Sequence, residues 1–355
     1  MIYTESGGIE MELKKFFAGV LAASMMLTVG AAAAFAAEGT AADMSSITVK
    51  KIYRVIGEGT SPAETFTLVQ QGDGEVTDGD AAEAPALGAI TGASFAAGEA
   101  TTEGVTKNIT IELPTYTKVG VYEYKLKEDD TNHTPGVKYF EGTIRLVVSV
   151  INGTDGRLRI AAVHTETLDS EGKKDTFTNT YTANLLNVKK IVGGNLGDKT
   201  KDFHFTVHFD RGSNANAPTG IRYTLDGTTY KTVSFDETTG TASVGFDLAH
   251  GESLNFTNIP AGVTYTIAED DYTTEASGGY TTSHGTTEVL DDAAEGRETA
   301  AITAGADPYT SVFFNVKGGI IDTGVILDNA PYIVLLAVVA AAGAVVVLNK
   351  RRRED

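Results

Sequence analysis

The sequence predicts an all-β protein built as two tandem β-sandwiches, and three observations carry that prediction. A short stretch occurs twice, Ile47-Thr-Val-Lys-Lys51 and Leu186-Asn-Val-Lys-Lys190. Each copy opens a long run of β-type sequence that closes on an aromatic-plus-asparagine stretch, Phe177-Thr-Asn179 and then Phe313-Phe-Asn315. Between these marks lie short segments rich in Val, Thr, Ile and Tyr, separated by turn dipeptides such as Asp78-Gly79, Asn152-Gly153 and Asp155-Gly156. No long amphipathic helical pattern competes with them.

The totals narrow the function. A chain of 355 residues has room for two ordinary domains and terminal segments. A net charge of −19 argues against nucleic acid as a partner, because phosphate would be repelled. There is no cysteine, which excludes disulfide reinforcement, thiol catalysis and thiolate metal sites.

Taken in order, residues 1–36 read as a signal peptide. Met11-Glu-Leu-Lys-Lys15 precedes an apolar run from Phe16 to about Ala34, and Ala34-Phe35-Ala36 offers a cleavage site after Ala36. The start is Met1 or Met11. The first domain spans 37–183, with strands expected around Thr65–Val69, Ile109–Leu113, Val121–Lys125 and Thr143–Ile151. Gly72 to Gly98 is acidic and rich in Ala and Gly, and is expected to be an extended surface loop; its Asp73, Asp78 and Asp80 lack the spacing of a calcium loop. Almost no linker separates this domain from the second, 184–317, so the two are expected end to end with limited hinge freedom. Strands are expected there around Asp202–Phe209, Ser243–Leu248, Ser253–Phe256, Val263–Asp270 and Ser311–Asn315. Residues 318–324 hold Ile320-Ile-Asp-Thr-Gly324, and residues 325–355 hold an 18-residue apolar run from Pro331 to Leu348 followed by Lys350-Arg-Arg-Arg353. A Thr-Gly pair, an apolar span and a basic tail form the three-part arrangement of a sortase sorting signal, with cleavage between Thr323 and Gly324. The pentapeptide lacks the Leu and Pro usual in that signal.

Three motifs point to no enzyme. Gly193 to Thr200 resembles a phosphate loop, yet Asp198 separates Gly197 from Lys199. His204 and His208 alternate with Phe203, Phe205, Val207 and Phe209, so the phenylalanines take the core and the histidines face solvent rather than a metal. No Gly-x-Ser-x-Gly elbow occurs. The expectation is a non-enzymatic protein without metal or cofactor.

The two lysines need a reason to be where alternation puts them. Ile47, Val49 and Lys51 share one strand face, as do Leu186, Val188 and Lys190, and burying an unpaired ammonium is costly. Counting by two from Tyr122 reaches Tyr124, Leu126 and Glu128; from Val263 it reaches Tyr265, Ile267 and Glu269. Phe177 shares a face with Asn179, and Phe313 with Asn315. Each half thus turns a Lys, a Glu and an Asn inward. Burial favours a neutral amine and a protonated acid. The amine can then attack the asparagine carbonyl while the glutamic acid stabilises the oxyanion and moves protons, releasing ammonia and leaving an isopeptide bond. The plainer reading, a buried Lys–Glu ion pair, would have to arise twice in the same order. Lys50 and Lys189 are the neighbouring alternatives, and alternation argues against both.

With these residues the chain resembles the two-domain major (backbone) pilins of Gram-positive bacteria, which are built from immunoglobulin-like domains of the CnaB type. The resemblance covers the chain from signal peptide to basic tail. It implies bonds joining Lys51 to Asn179 with Glu128 assisting, and Lys190 to Asn315 with Glu269 assisting. It also implies a secreted pilus shaft subunit, joined by a sortase to other copies of itself, to minor pilins and to peptidoglycan at the cell wall. The membrane would be met only transiently, through the tail. The acceptor of the next subunit would lie before the first domain's last strand, at Lys173 or Lys174. The alternatives are a sortase-anchored adhesin that does not polymerise and, from another class, a secreted hydrolase with an unrecognised site.

Overall fold

Alternation of apolar and polar residues is written along almost every strand, and the burial follows it. The computed structural model describes residues 44–168, 172–212 and 216–319. The signal peptide, the Thr323–Gly324 motif and the apolar tail fall outside the described residues.

The first half of the chain forms β1 (Ser46–Gly57), β2 (Glu64–Phe66), β3 (Leu68–Gln70), β4 (Glu75–Gly79), β5 (Ile90–Thr91) and β6 (Ala93–Phe95). It continues through β7 (Val105–Glu112), β8 (Gly120–Glu128), β9 (Val137–Lys138), β10 (Ile144–Asn152) and β11 (Leu158–Thr167) to β12 (Thr176–Gly193). One sheet contains β5, β7, β1 and the first half of β12; the other runs β11-β10-β8-β3, with β4 also on β8. Val49, Ile109 and Ile111 from one sheet meet Tyr122, Tyr124, Leu126, Ile144 and Leu146 from the other, all essentially buried.

The second half repeats the plan with β13 (Phe203–Asp210), β14 (Arg222–Thr224), β15 (Lys231–Thr232), β16 (Thr241–Leu248), β17 (Ser253–Pro260) and β18 (Thr264–Glu269). It ends with β19 (Thr281–Gly285), β20 (Ala294–Glu295), β21 (Ile302–Thr303) and β22 (Tyr309–Val316). The sheet β16-β13-β18-β21 packs on β12, β17 and β22 through Phe203, Phe205, Phe209, Phe256 and Phe313. Among the described residues the helical content is one 3-10 turn, Leu290–Asp292.

The two sandwiches share a strand. β12 is 18 residues long; its first half pairs in parallel with β1 and its second half in parallel with β22 and antiparallel with β17. The chain thus closes the first domain and opens the second without leaving the sheet. The junction is packed tightly enough to need special backbone. Gly57 has φ of 80°, and a Cβ there would stand 2.3 Å from the Ala183 carbonyl oxygen and 2.7 Å from that of Ala306, so only glycine fits. Asn258 of β17 is buried with φ of 60°. Its Oδ1 accepts from the Thr60 N–H and the Tyr181 hydroxyl, both at 3.0 Å, and its Nδ2 donates to the Gly220 carbonyl. One side chain therefore ties the second domain to two segments of the first.

The segment from Gly72 to Gly98 departs from the expected extended loop. It contains β4, β5 and β6, and Ala93 and Phe95 enter the core, where Phe95 packs edge-on against Tyr53 and Phe66. Burial of two residues on a three-residue strand outweighs the surrounding polar composition.

Candidate functional site: two buried Lys–Glu–Asn clusters

The repeat produces the same geometry twice. In the parallel ladder of β1 and β12, Lys51 lies opposite Phe177 and Tyr53 opposite Asn179. In the ladder of β12 and β22, Lys190 lies opposite Phe313 and Val192 opposite Asn315. The lysine and asparagine of each domain thus sit on adjacent strands, offset by two residues, on the face that enters the core. Each glutamate is the last residue of a strand in the facing sheet, Glu128 on β8 and Glu269 on β18.

In the first domain, Lys51 Nζ lies 2.8 Å from Glu128 Oε1. Asn179 Nδ2 donates to that same oxygen at 2.7 Å, and the Phe140 backbone N–H donates to Oε2 at 2.6 Å. In the second domain, Lys190 Nζ lies 2.5 Å from Glu269 Oε1, while Glu269 Oε2 and both polar atoms of the Asn315 amide have no hydrogen-bond partner. Lys190, Asn179 and Asn315 have no measurable exposure, and Lys51 and Glu269 are 1% exposed.

Aromatic rings close each cluster from water. Lys51 Nζ sits over Phe66, and Lys190 Nζ is 4.4 Å from the centre of Phe203 with Phe205 beyond. Burial pushes the Lys51 ammonium below its ordinary value against the opposing pull of Glu128. Burial likewise brings Lys190 down to about 8, with Glu269 opposing. Burial raises the Glu269 carboxyl; Lys190 opposes this, and so does the nearby Asn315 amide, although it forms no hydrogen bond of normal geometry. These are the shifts that a nucleophilic amine and an acid require.

The neighbouring lysines stay at the surface. Lys50 lies 3.5 Å from Asp175 and Lys189 2.5 Å from Glu288, both partly exposed. His204 and His208 point outward, to Asp247 and Ser243. Among the described residues no cluster of three or more His, Cys, Asp or Glu could hold a metal.

Lys173 and Lys174 differ in setting. Lys173 is half-buried in an isolated bridge to Glu166, whereas Lys174 is exposed. The Lys174 Nζ rides over the rings of Phe140 and Phe177 at 5.6 and 5.5 Å, at the edge of a cavity of about 430 Å³ that Lys138, Tyr139 and Glu141 also line.

Two features escaped the sequence reading. The Phe140 N–H is a backbone donor, and backbone donors carry no residue signature. Asn258 is an asparagine in an ordinary strand pattern, and its left-handed conformation gives no warning in the sequence.

Both halves of the chain are similar to known proteins. Residues 47–182 match the family described as Spy0128-like isopeptide containing domain, and residues 184–317 match a domain of unknown function, DUF7601. A pilin of Streptococcus pyogenes serotype M1 is 32% identical over 231 residues, which is 62% of this chain and 65% of that protein. The pilus tip adhesin Cpa of Streptococcus pyogenes is 30% identical over 146 residues, 40% of this chain and 18% of the adhesin. The chain therefore spans just under two thirds of the first relative and less than a fifth of the second. In fold it is similar to the major pilin crystal structure from Streptococcus pyogenes, with a TM-score of 0.52 and 24% identity over 78% of this chain and all of that one. Residues 47–182 are thus similar to the Spy0128-like isopeptide containing domain, and the chain is similar in sequence to a streptococcal pilin and in fold to a streptococcal major pilin.

Proposed function

We propose that this chain is the structural shaft subunit of a sortase-assembled pilus on a Gram-positive cell surface, stiffened by two self-formed isopeptide bonds, Lys51–Asn179 and Lys190–Asn315. The observation that carries the reading is the duplicated Lys–Glu–Asn cluster, with the same two-residue offset between parallel strands in both domains.

In each cluster the glutamate takes a proton from the lysine, and the neutral Nζ adds to the asparagine Cγ. The resulting oxyanion is held by the glutamic acid, and the C–Nδ2 bond breaks. The departing nitrogen takes one of the two protons lysine gives up and leaves as ammonia, the other proton staying on the glutamate. Packing replaces the encounter that makes amide exchange slow in water. Each bond joins the first strand of a domain to its last, so tension along the fibre passes through it rather than peeling the sandwich apart. Polymerisation would use Thr323, released from Gly324 by the sortase, and a lysine of the next copy. Lys174 is the better acceptor because it is an exposed residue whereas Lys173 is half-buried. Peptidoglycan attachment and minor pilins complete the assembly. The chemistry is a single turnover and makes the protein no enzyme.

Two measurements test this. The intact mass of the folded mature protein should fall short of the sequence mass by two ammonias; an unmodified mass would remove both bonds. Denaturing gels of wall extracts should show a high-molecular-weight ladder carrying this chain. One wall-linked band would point instead to an adhesin that does not polymerise.

A further inference from the structure

The two clusters are not equally ready to react, and this inference rests on the isopeptide reading above. In the first, Glu128 acts only as an acceptor: Oε1 takes Lys51 and the Asn179 amide nitrogen, and Oε2 takes the Phe140 N–H. The acid that the reaction needs must instead donate to the Asn179 carbonyl oxygen, which here has no partner because the amide presents its nitrogen. Closure therefore requires the Asn179–Glu128 hydrogen bond to break, the amide to turn, and the carboxyl to take a proton while Phe140 holds its other oxygen. In the second, Glu269 Oε2 has no hydrogen-bond partner. The Asn315 amide, though near enough to oppose the rise of the carboxyl, forms no hydrogen bond of normal geometry, so turning its carbonyl to the acid breaks no formed bond. The raised Glu269 carboxyl agrees with that geometry.

We infer that the bonds close in order, Lys190–Asn315 before Lys51–Asn179, and that the Phe140 N–H is the positioning group that slows the first site. A hydrogen bond to a charged group is strong enough to account for about a tenfold difference in rate. Proton and atom balance are the same at both sites: one N–C bond forms, one breaks, and one ammonia leaves.

The test follows wild-type chain after a pulse of cell-free synthesis, with peptide mapping of both linked pairs over time. The Lys190–Asn315 peptide should accumulate about ten times faster. Synthesis gives the first domain a head start, which works against that order. Equal rates, or the first site leading, would overturn the inference while leaving the bonds in place. The absence of both linked peptides would remove the isopeptide reading and the ordering with it. Phe140→Pro, which deletes the N–H, should speed closure at Lys51, whereas general damage would slow it. Phe140→Leu keeps the N–H and should leave the order unchanged. Slower closure in Phe140→Pro with normal closure at Lys190 overturns the role of the amide, and if that variant fails to fold the wild-type rates still decide the order.

Discussion

The Nζ of Lys190 lies 2.5 Å from Oε1 of Glu269, with both side chains sealed from solvent. Removing one partner of such a pair leaves the other buried and alone, which costs about 3–5 kcal/mol. On the isopeptide reading the loss is larger, because the acid would also be the group that moves protons. Glu269→Ala should retain one ammonia in its intact mass. It should also forgo a cross-link spanning more than a hundred residues, worth about 5 kcal/mol by analogy with a disulfide. A folded Glu269→Ala protein that still falls short of its own sequence mass by two ammonias would show that Glu269 plays no part in closure.

The same pair sets a pH dependence. The reactive state holds one proton between Lys190 and Glu269. That proton is lost above the lysine value of about 8, and a second is gained below the raised carboxyl value. Closure at the second site should therefore be bell-shaped in pH, with its alkaline limb near 8. Asn315→Ala blocks closure and exposes the stability side. The folded lysine value lies below the ordinary lysine value of 10.5, so the unfolded chain binds more protons between about 8 and 10.5. Stability should rise with pH through that window, and below it the full charging cost of about 3 kcal/mol applies. The raised Glu269 acts oppositely: just above pH 4.5 the folded chain holds the extra proton, so its contribution falls as pH climbs. Thermal melts of Asn315→Ala against Lys190→Met/Asn315→Ala isolate the lysine, and parallel curves across pH 8 to 10.5 would contradict the shift.

Much of this was legible in the sequence, and the reason is the period-two pattern. Lys51 and Lys190 continue faces begun by Val49 and Val188, which points them inward, and both faces are buried. The parallel pairing that sets Lys51 beside Asn179 was not legible, since it joins strands far apart in sequence. Nor was the burial of Phe95, because a three-residue strand gives alternation too little length to stand out from an acidic, Gly-rich segment. The sharing of β12 between domains was foreshadowed only by the missing linker.

Asn258 should govern how the two domains move together. Its amide makes two hydrogen bonds to the first domain and one within the second, each worth about 1 kcal/mol. Asn258→Gly keeps the φ of 60° open while deleting the amide, so backbone strain does not confound it. Calorimetry should show the melting of the two domains less coupled than in wild type, with both isopeptide bonds intact by mass. Unchanged coupling would mean that the continuous β12 strand alone joins them.

The acceptor lysine can be decided by charge-preserving substitution. Lys174 is an exposed residue whose amine lies over the rings of Phe140 and Phe177, beside an open cavity. Lys173 is half-buried in its bridge to Glu166. A transpeptidase must bring a bulky acyl-enzyme to the amine, so access outweighs small differences in basicity. Lys174→Arg keeps the positive charge and its stacking but offers no attacking amine, and it should abolish the ladder on denaturing gels. Lys173→Arg should leave the ladder intact. Loss of the ladder in Lys173→Arg alone would move the acceptor by one residue to the half-buried Lys173, and the segment would then have to open before the next subunit could be joined.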